Sequence, residues 1–184
     1  MAANDLTTVA NVKAWLSLPQ AADDALIARL ITSVSTLMQS WLGCKIISAS
    51  YAVIKDGTGG TSLFLRNTPV TAVASLSING VAVPASTGPG VLGYRFAETQ
   101  VIVDGYRFTR GNANIAITYT AGYAVVPPDL EQAAIEIVAL RYRERDRIGH
   151  TSKTLAGETV AFFIGDMPAS AKTTLQQYKL VLPT

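Results

Sequence analysis

The residue types that most often carry out catalysis are scarce in this chain of 184 residues. Its one cysteine, Cys44, and its one histidine, His150, could formally act as a nucleophile and its base. Cys44 directly follows Gly43, which we expect to end a helix, and a cysteine there is more typical of a small buried hydrophobic residue. A zinc site needs several cysteine or histidine ligands, so carboxylates would have to supply nearly all of them. We therefore predict no catalytic, metal or cofactor-binding residues.

Two short motifs resemble parts of known sites but fit structural roles better. Asp23 and Asp24 are placed like the acidic start of a helix, where negative charge is favourable. Residues 56–60, DGTGG, are glycine-rich like a phosphate-binding loop. They lack the lysine and serine spacing of such a loop and lie between predicted strands. We predict that they form a hairpin turn.

Positive charge is concentrated in one segment, although the net charge of the whole chain is only +2. Alternating charge on a helix is typical of a solvated, ion-paired face, but such a segment also suits a subunit interface. Direct phosphate contact is disfavoured, because the acids in the segment repel a DNA backbone. We predict that its arginines serve packing between subunits. The segment is RYRERDR, residues 141–147, with Arg141, Arg143, Arg145 and Arg147 separated by Glu144 and Asp146.

The elements that position these residues follow from the period of the apolar side chains. Spacings of three and four predict helices near residues 8–17, 23–42 and 128–148, and a short final helix from Pro168. Alternating apolar residues predict antiparallel strands between residues 46 and 120, with a two-residue hairpin at Asn79-Gly80. A further strand is predicted at about residues 159–164. The second helix has a neutral, hydroxyl-rich face, which is either solvated or packed against a neighbouring subunit.

The composition is that of an ordinary soluble protein on the apolar side, with 49% hydrophobic and 15% charged residues. Few charges leave neutral surface that suits contacts between copies of the chain. A single cysteine allows no internal disulfide. The first residues, MAANDLTTVAN, lack the basic and apolar regions of a signal peptide. No run of about 18 apolar residues occurs, so no membrane span is expected.

Three phrases, in this order, resemble the head–tail connector (adaptor) proteins of long-tailed bacteriophages. VKAWLSL followed by DDALIARLITSVSTLMQSWLGCKI is similar to the opening of that family. YTAGYAVVPPDLEQAAIEIVALRYRERD is similar to its second hallmark, a strand, a turn and a long helix with a charged end. PASAKTTLQQYKLV resembles its closing segment. The resemblance covers both ends of the chain, and the β region between them matches longer members in kind only.

The resemblance implies an α+β fold. Its helical adaptor core would consist of two long helices plus short terminal helices, with an inserted antiparallel β module. The corresponding domain organisation is a single adaptor domain over residues 1–184, with the β module at residues 46–120 and a C-terminal arm at residues 151–184.

The resemblance also implies a structural virion protein at the head–tail interface. Copies would form a ring homo-oligomer, a dodecamer, beneath the portal, which joins the phage head to the tail and extends the DNA channel. The implied partners are the portal protein, the next head-closure or tail-joining protein, and genomic DNA that passes non-specifically. Assembly would take place in the host cytoplasm. The alternative is another ring-forming head-closure or tail-terminator protein of the same particle. Strands dominate in that class, so the two long predicted helices argue against it.

The C-terminal arm is the predicted contact with the portal. Its short helix is marginal alone and needs docking. Leaving the two adjacent phenylalanines exposed would forfeit roughly 3–6 kcal/mol of burial free energy, so we expect them to be covered. The alternative is that the arm packs on its own domain. The predicted partner-binding residues are Phe162, Phe163, Leu175, Tyr178 and Leu180.

Overall fold

The computed structural model describes residues 4–145, 152–155, 158–161 and 167–179. They form two compact units: a helical unit, which comprises Met1–Gly43 and Val126–Lys179, and a β unit, which comprises Cys44–Val125. The expected organisation as one adaptor domain with an inserted module and a C-terminal arm stays a prediction.

Local capping signals set the helices of the helical unit. Thr8 caps the first helix, because its hydroxyl accepts a hydrogen bond from the Asn11 amide at 3.1 Å. Gly43 ends the second in the left-handed conformation, with φ of 74°. The first three helices begin within one residue of their predicted positions. The helices of the described residues are α1 (Val9–Leu16), α2 (Asp24–Leu42), α3 (Pro128–Glu144) and α4 (Ala169–Gln177).

The apolar faces of α2 and α3 pack against each other. The residues of this contact recur at spacings of three and four, and each is at most 2% exposed. Burying each of the larger side chains contributes about 1.5–3 kcal/mol. The buried residues are Ile27, Ile31, Val34 and Met38 on α2, and Leu130, Ala134, Ile137 and Val138 on α3.

The segment before α1 uses part of the hydroxyl-rich face of α2. The Leu6 amide donates to the Ser35 hydroxyl at 3.0 Å, and the Thr32 hydroxyl donates to the Asp5 carboxylate at 2.9 Å. The Thr7 hydroxyl donates to the Glu131 carboxylate of α3 at 3.1 Å. Part of the face that the sequence leaves open between solvent and a neighbouring subunit is therefore occupied within the chain.

The β unit contains two antiparallel sheets. The larger has the order β1-β7-β3-β4, so β7 is hydrogen bonded on both sides along most of its length. The smaller has the order β2-β6-β5. The strands are β1 (Ala49–Gly57), β2 (Ser62–Phe64), β3 (Val70–Ile78), β4 (Val81–Ala82), β5 (Gly93–Phe96), β6 (Gln100–Asp104) and β7 (Gly111–Ala121).

Both sheets contribute to a hydrophobic core within the β unit. Ile117 of β7 is 1% exposed and lies between Val53 of β1 and Leu76 of β3. Val101 of β6 comes from the other sheet and is fully buried. On the opposite face of the larger sheet, one cross-strand row consists of small, uncharged residues: Ala52, Thr118 and Ser75.

The predicted fold class is wrong. The helices are short, between 8 and 19 residues, and the chain is rich in sheet. The β unit is not a module supported by a helical core, because it has a hydrophobic core of its own. The prediction failed because β7 pairs with residues more than fifty positions away, and periodicity does not report such contacts.

One predicted turn is confirmed and another is wrong. Asn79-Gly80 connects β3 and β4 with positive φ at both residues, as a type I′ hairpin requires. Residues 56–60 do not form a hairpin turn, because β1 pairs with β7 whereas β2 pairs with β6. This connection carries the chain from one sheet to the other.

A separate hairpin precedes α4. Its strands, β8 (Ser152–Leu155) and β9 (Glu158–Ala161), pair antiparallel with each other. β9 overlaps the strand predicted at residues 159–164, of which residues 162–164 lie outside the described part of the chain.

The end of β1 makes a glycine indispensable. The register with β7 shifts between Lys55 and Gly57, and a Cβ atom at Gly57 would clash with the Thr109 carbonyl oxygen. We expect Gly57→Ala to destabilise the protein by about 1–3 kcal/mol, which is the usual cost of overpacking. Denaturant unfolding followed by circular dichroism measures this loss. Gly88→Ala is the control: nothing lies within 4 Å of its added Cβ, so equal losses in the two variants would contradict the packing argument.

Two core tyrosines allow a matched test of buried hydroxyl groups. The Tyr94 hydroxyl donates to the Val73 carbonyl at 3.0 Å, whereas the buried Tyr51 hydroxyl has no partner among the described residues. Removing a hydroxyl that makes a hydrogen bond costs about 0.5–1.5 kcal/mol of stability. Removing a buried hydroxyl that makes no hydrogen bond carries no such cost. We expect Tyr94→Phe to lower the free energy of unfolding at pH 7 and Tyr51→Phe to leave it unchanged or raise it.

The buried Tyr51 hydroxyl also predicts that stability depends on pH. Burial, and then the neighbouring Tyr119, raise the pKa of Tyr51 above its ordinary value of 10.0. Above about pH 10 the unfolded chain therefore loses this proton before the folded chain does, and stability falls as the pH rises. Tyr51→Phe should reduce that decline. Urea unfolding at pH 9 and pH 10.5 measures the decline. If the free energy of unfolding falls as much in Tyr51→Phe as in the parent protein, Tyr51 is not its source.

Candidate interaction surfaces

The end of α3 carries the basic segment. Arg141 is half-buried, and Arg143 and Arg145 are exposed on the last turn and directly after it. Arg147 lies outside the described residues. Positive charge at a helix C-terminus is favourable, because the carbonyl groups there carry partial negative charge. The location therefore accounts for some of the basic character without any partner.

Arg145 is held within its own unit. Its guanidinium lies 3.9 Å from the Asp23 carboxylate and 4.1 Å above the ring of Tyr142. The Tyr142 hydroxyl donates a hydrogen bond to the same carboxylate. These contacts join the end of α3 to the start of α2. Of the predicted interface arginines that the structure describes, Arg143 is therefore the one most open to a partner.

The predicted arm residues that the structure describes lie against their own helical unit. Leu175 of α4 is fully buried, and α4 contacts α3. The Tyr178 hydroxyl donates to the Asp129 carboxylate, with oxygen distances of 2.7 and 2.9 Å. The Ser170 hydroxyl donates to Glu136 at 2.8 Å. Phe162, Phe163 and Leu180 lie outside the described residues, so a role of the arm in partner binding stays a prediction.

A shallow groove of about 610 Å³ lies beside the edge strands β1 and β2. Ile54 is 68% exposed and Phe64 is 38% exposed along its wall. The Lys55 ammonium donates to the Phe64 carbonyl at 2.6 Å, which links the two edges at this point. Burial lowers the pKa of Lys55. The groove thus combines apolar surface with a partly desolvated amine.

Sequence reasoning missed this surface, although a signal was present. Tyr51 and Val53 belong to the inward phase of the alternation in β1, whereas Ile54 belongs to the outward phase that Ser50 and Ala52 occupy. A large apolar residue in the outward phase marks an exposed hydrophobic site. Phe64 gave no such signal, because β2 is only three residues long.

The contacts of Cys44, Asp23 and Asp24 fit structural roles rather than catalytic ones. Burial raises the pKa of the Cys44 thiol, an effect that the charge of Arg66 opposes, so the reactive thiolate is disfavoured. Asp24 accepts from Lys13 at 2.7 Å, whereas Asp23 binds Tyr142, so the two acids do not act as a pair. His150 lies outside the described residues. Within those that are described, no group of three or more potential ligands could hold a metal ion, and no helix is long and apolar enough to cross a membrane.

Comparison with protein families matches residues 5–181 to the model of a family described as head completion protein. No curated protein matches the chain.

Solved structures with a similar fold come from a phage-like particle. One, a chain in the neck of the empty GTA particle computed with C6 symmetry, has a TM-score of 0.64 at 20% identity, over 96% of this chain and 90% of that one. A chain in the neck of the native GTA particle computed with C12 symmetry has a TM-score of 0.62 at 18% identity, over 100% and 98%. A chain in the virion of the native gene transfer agent (GTA) particle has a TM-score of 0.63 at 18% identity, over 96% and 90%.

The position of Leu175 predicts that α4 stabilises the helical unit. Leu175→Ala should lower its free energy of unfolding by about 2–5 kcal/mol, because the change removes buried methyl groups and leaves a cavity. Both tryptophans, Trp15 and Trp41, belong to this unit, so their fluorescence during denaturation reports its unfolding. The exposed neighbour supplies the control, Gln176→Ala, which should stay within about 0.5 kcal/mol. A Leu175→Ala transition that coincides with that of the parent protein would show that α4 is not needed there.

Proposed function

We propose, because this chain belongs to the head completion protein family, that its copies form a ring beneath the portal and extend the DNA channel of a phage-like virion. The chain is a structural head-closure or neck protein of such a virion, not an enzyme. The family match carries the proposal, since it spans residues 5–181 of the 184.

Ring formation is supported by the particles that contain similar folds. Their necks were computed with C6 and C12 symmetry, which are both rotational symmetries about one axis. A closed ring needs a heterologous interface, in which two different surfaces of the same chain meet. The exposed end of α3 and the open edges of the β unit are different surfaces of that kind. A dodecamer agrees with the C12 case.

The arginines of α3 serve the subunit interface or the channel wall in this proposal. DNA passes through a neck without being read, so scattered positive charge is sufficient and base-specific contacts are unnecessary. Arg143 meets this requirement because it is exposed. Arg145 serves the interface only indirectly, since Asp23 and Tyr142 hold it in place.

The partners on the two sides of the ring would be the portal protein and the next protein of the neck. The C-terminal arm, residues 151–184, is the proposed contact with the portal. Leu175 then acts as an anchor within the subunit, whereas the residues around it are available to the partner.

A second candidate is a head-closure protein that joins the neck on the tail side of the adaptor ring. The richness in sheet favours it, because the β unit has two sheets and a core of its own. Purified portal rings separate the two candidates. An adaptor binds them directly, whereas a closure protein binds only after the adaptor is present.

The test of the ring uses charge reversal at the exposed arginine. We expect Arg143→Glu to leave the melting temperature of the free subunit unchanged and to reduce ring assembly on portal at least tenfold, as counted by negative-stain microscopy. Arg29→Glu is the control, because Arg29 is an equally charged, exposed residue of α2. Normal rings and an unchanged phage titre for Arg143→Glu would rule out the proposed role.

A further inference from the structure

The edge strand β1 has an unprotected stretch. β1 ends the order of its sheet, so one side of its backbone has no strand partner among the described residues. Natural proteins protect such edges with charges, prolines, bulges or covering segments, since open edges pair with other chains. Residues 49–54, ASYAVI, contain no charge, proline or glycine, and they are bonded to β7 without a bulge.

Protection starts only at the far end of the strand. Lys55 shares the inward-facing row of Ile115 and donates to the Phe64 carbonyl, and the register shift follows before Gly57. An inward lysine and a bulge are two of the usual protective devices. Next to them, Ile54 remains 68% exposed. The contrast within one strand indicates that residues 49–54 are left open for a partner.

The opposite side of the β unit is partly covered by the chain itself. β4 is two residues long, and the segment after it pairs with β5. The Tyr94 amide donates to the Pro84 carbonyl at 2.8 Å, and the Ser86 amide donates to the Tyr94 carbonyl at 2.9 Å. β4 itself pairs only with Ser77 and Ile78 of β3, and two register shifts interrupt β3 before them. Unlike residues 49–54 of β1, this side therefore has both bulges and a covering segment.

The hairpin β8–β9 also lacks a strand neighbour among the described residues. Its two strands of four residues pair with each other and, within the described residues, with no other strand. A two-stranded hairpin alone is marginally stable in water, and a third strand stabilises it. β8 contains Lys153, a residue type that discourages edge pairing, whereas β9 contains Thr159 and Val160, which favour strands.

We propose that β9 of one copy pairs with β1 of the next copy in the ring. Each of the two lacks a strand neighbour in its own sheet, and a second copy of the chain can supply one to both. Strand addition of this kind gains main-chain hydrogen bonds along the shared edge. Four residues of β9 span about 13 Å at roughly 3.3 Å each, which fits within the six-residue open stretch. The inference rests on the ring proposed above.

The donor and acceptor edges are two different surfaces of one chain. Their contact is therefore heterologous and passes from copy to copy, as a ring requires. The neighbour's hairpin would also cover Ile54 at the end of the stretch. The outward row Ala52, Thr118, Ser75 provides positions for a test, because Ala52 lies on the edge strand and Ser75 lies two strands away.

The first test is disulfide trapping in a Cys44→Ser background. Ala52→Cys is combined in turn with Thr159→Cys and Val160→Cys, because successive residues of a strand point to opposite faces. Oxidation of rings assembled on portal should give a ladder of linked oligomers in one combination. Ser75→Cys with the same partners is the control; Ser75 lies about 10 Å from the edge strand, too far for a disulfide. A ladder of equal intensity from the control, or a disulfide formed only within monomers, would overturn the proposal.

The second test adds a protective charge to the edge. Ala52→Lys should reduce ring assembly at least tenfold while the melting temperature of the subunit stays unchanged, and Ser75→Lys on the same face should assemble normally. Suppose that the parent protein forms rings, that no cysteine combination gives a ladder, and that Ala52→Lys assembles normally. The strand pairing proposed here is then wrong, whereas the proposed ring is unaffected. If the parent protein forms no rings, either alone or on portal, both proposals are wrong.

Discussion

The β unit depends on the double pairing of β7. This strand of eleven residues bonds to β1 on one side and to β3 on the other, and it supplies Ile115, Ile117 and Tyr119 to the core. Because side chains alternate along a strand, a slip of one residue in β7 would turn these three side chains to the outer face. The register shifts differ on its two sides: against β3 the extra residues lie in β3, whereas between Lys55 and Gly57 of β1 the extra residues lie in β7 itself.

The helical unit is held by a different balance of forces. Its interior is an aliphatic contact between α2 and α3, but each end carries polar connections between segments that are distant in sequence. At one end Asp23 joins Tyr142 and Arg145. At the other, Glu131 accepts from Thr7. Such hydrogen bonds contribute modestly to stability, roughly 0.5–1.5 kcal/mol each, but they fix how the terminal segments lie on the helices.

Local signals in the sequence were sufficient for the helices and the Asn79-Gly80 hairpin, because caps, prolines and apolar spacing act within a few residues. Pairing of strands was not accessible in this way. The glycine-rich residues 56–60 look the same whether they turn a hairpin or cross between sheets, and only the distant partners β7 and β6 distinguish the two. The wrong fold class has the same origin, since the extent of the β unit depends on those long-range ladders.

The candidate sites divide along the same line. The sequence RYRERDR shows that the end of α3 is basic. It does not show that Arg145 is held by an ion pair, which distinguishes it from Arg143, because the partner, Asp23, lies more than a hundred residues earlier. The sequence predicts that Leu175 and Tyr178 belong to a short helix that needs a docking surface. Their contacts with α3 and Asp129 lie on the same unit, which spacing alone could not decide. The open edge of β1 follows from the order of the strands, which periodicity does not contain.

The loop between β4 and β5 has a practical consequence for imaging the particle. Gly88 within it has no atom near the place where a side chain would begin, and the loop leaves the ladder of β7 untouched. A short peptide epitope or a small fluorescent label inserted there would extend into free space without shifting a strand. Electron microscopy of labelled virions could then assign this chain to one layer of the neck, independently of which surfaces hold that layer together.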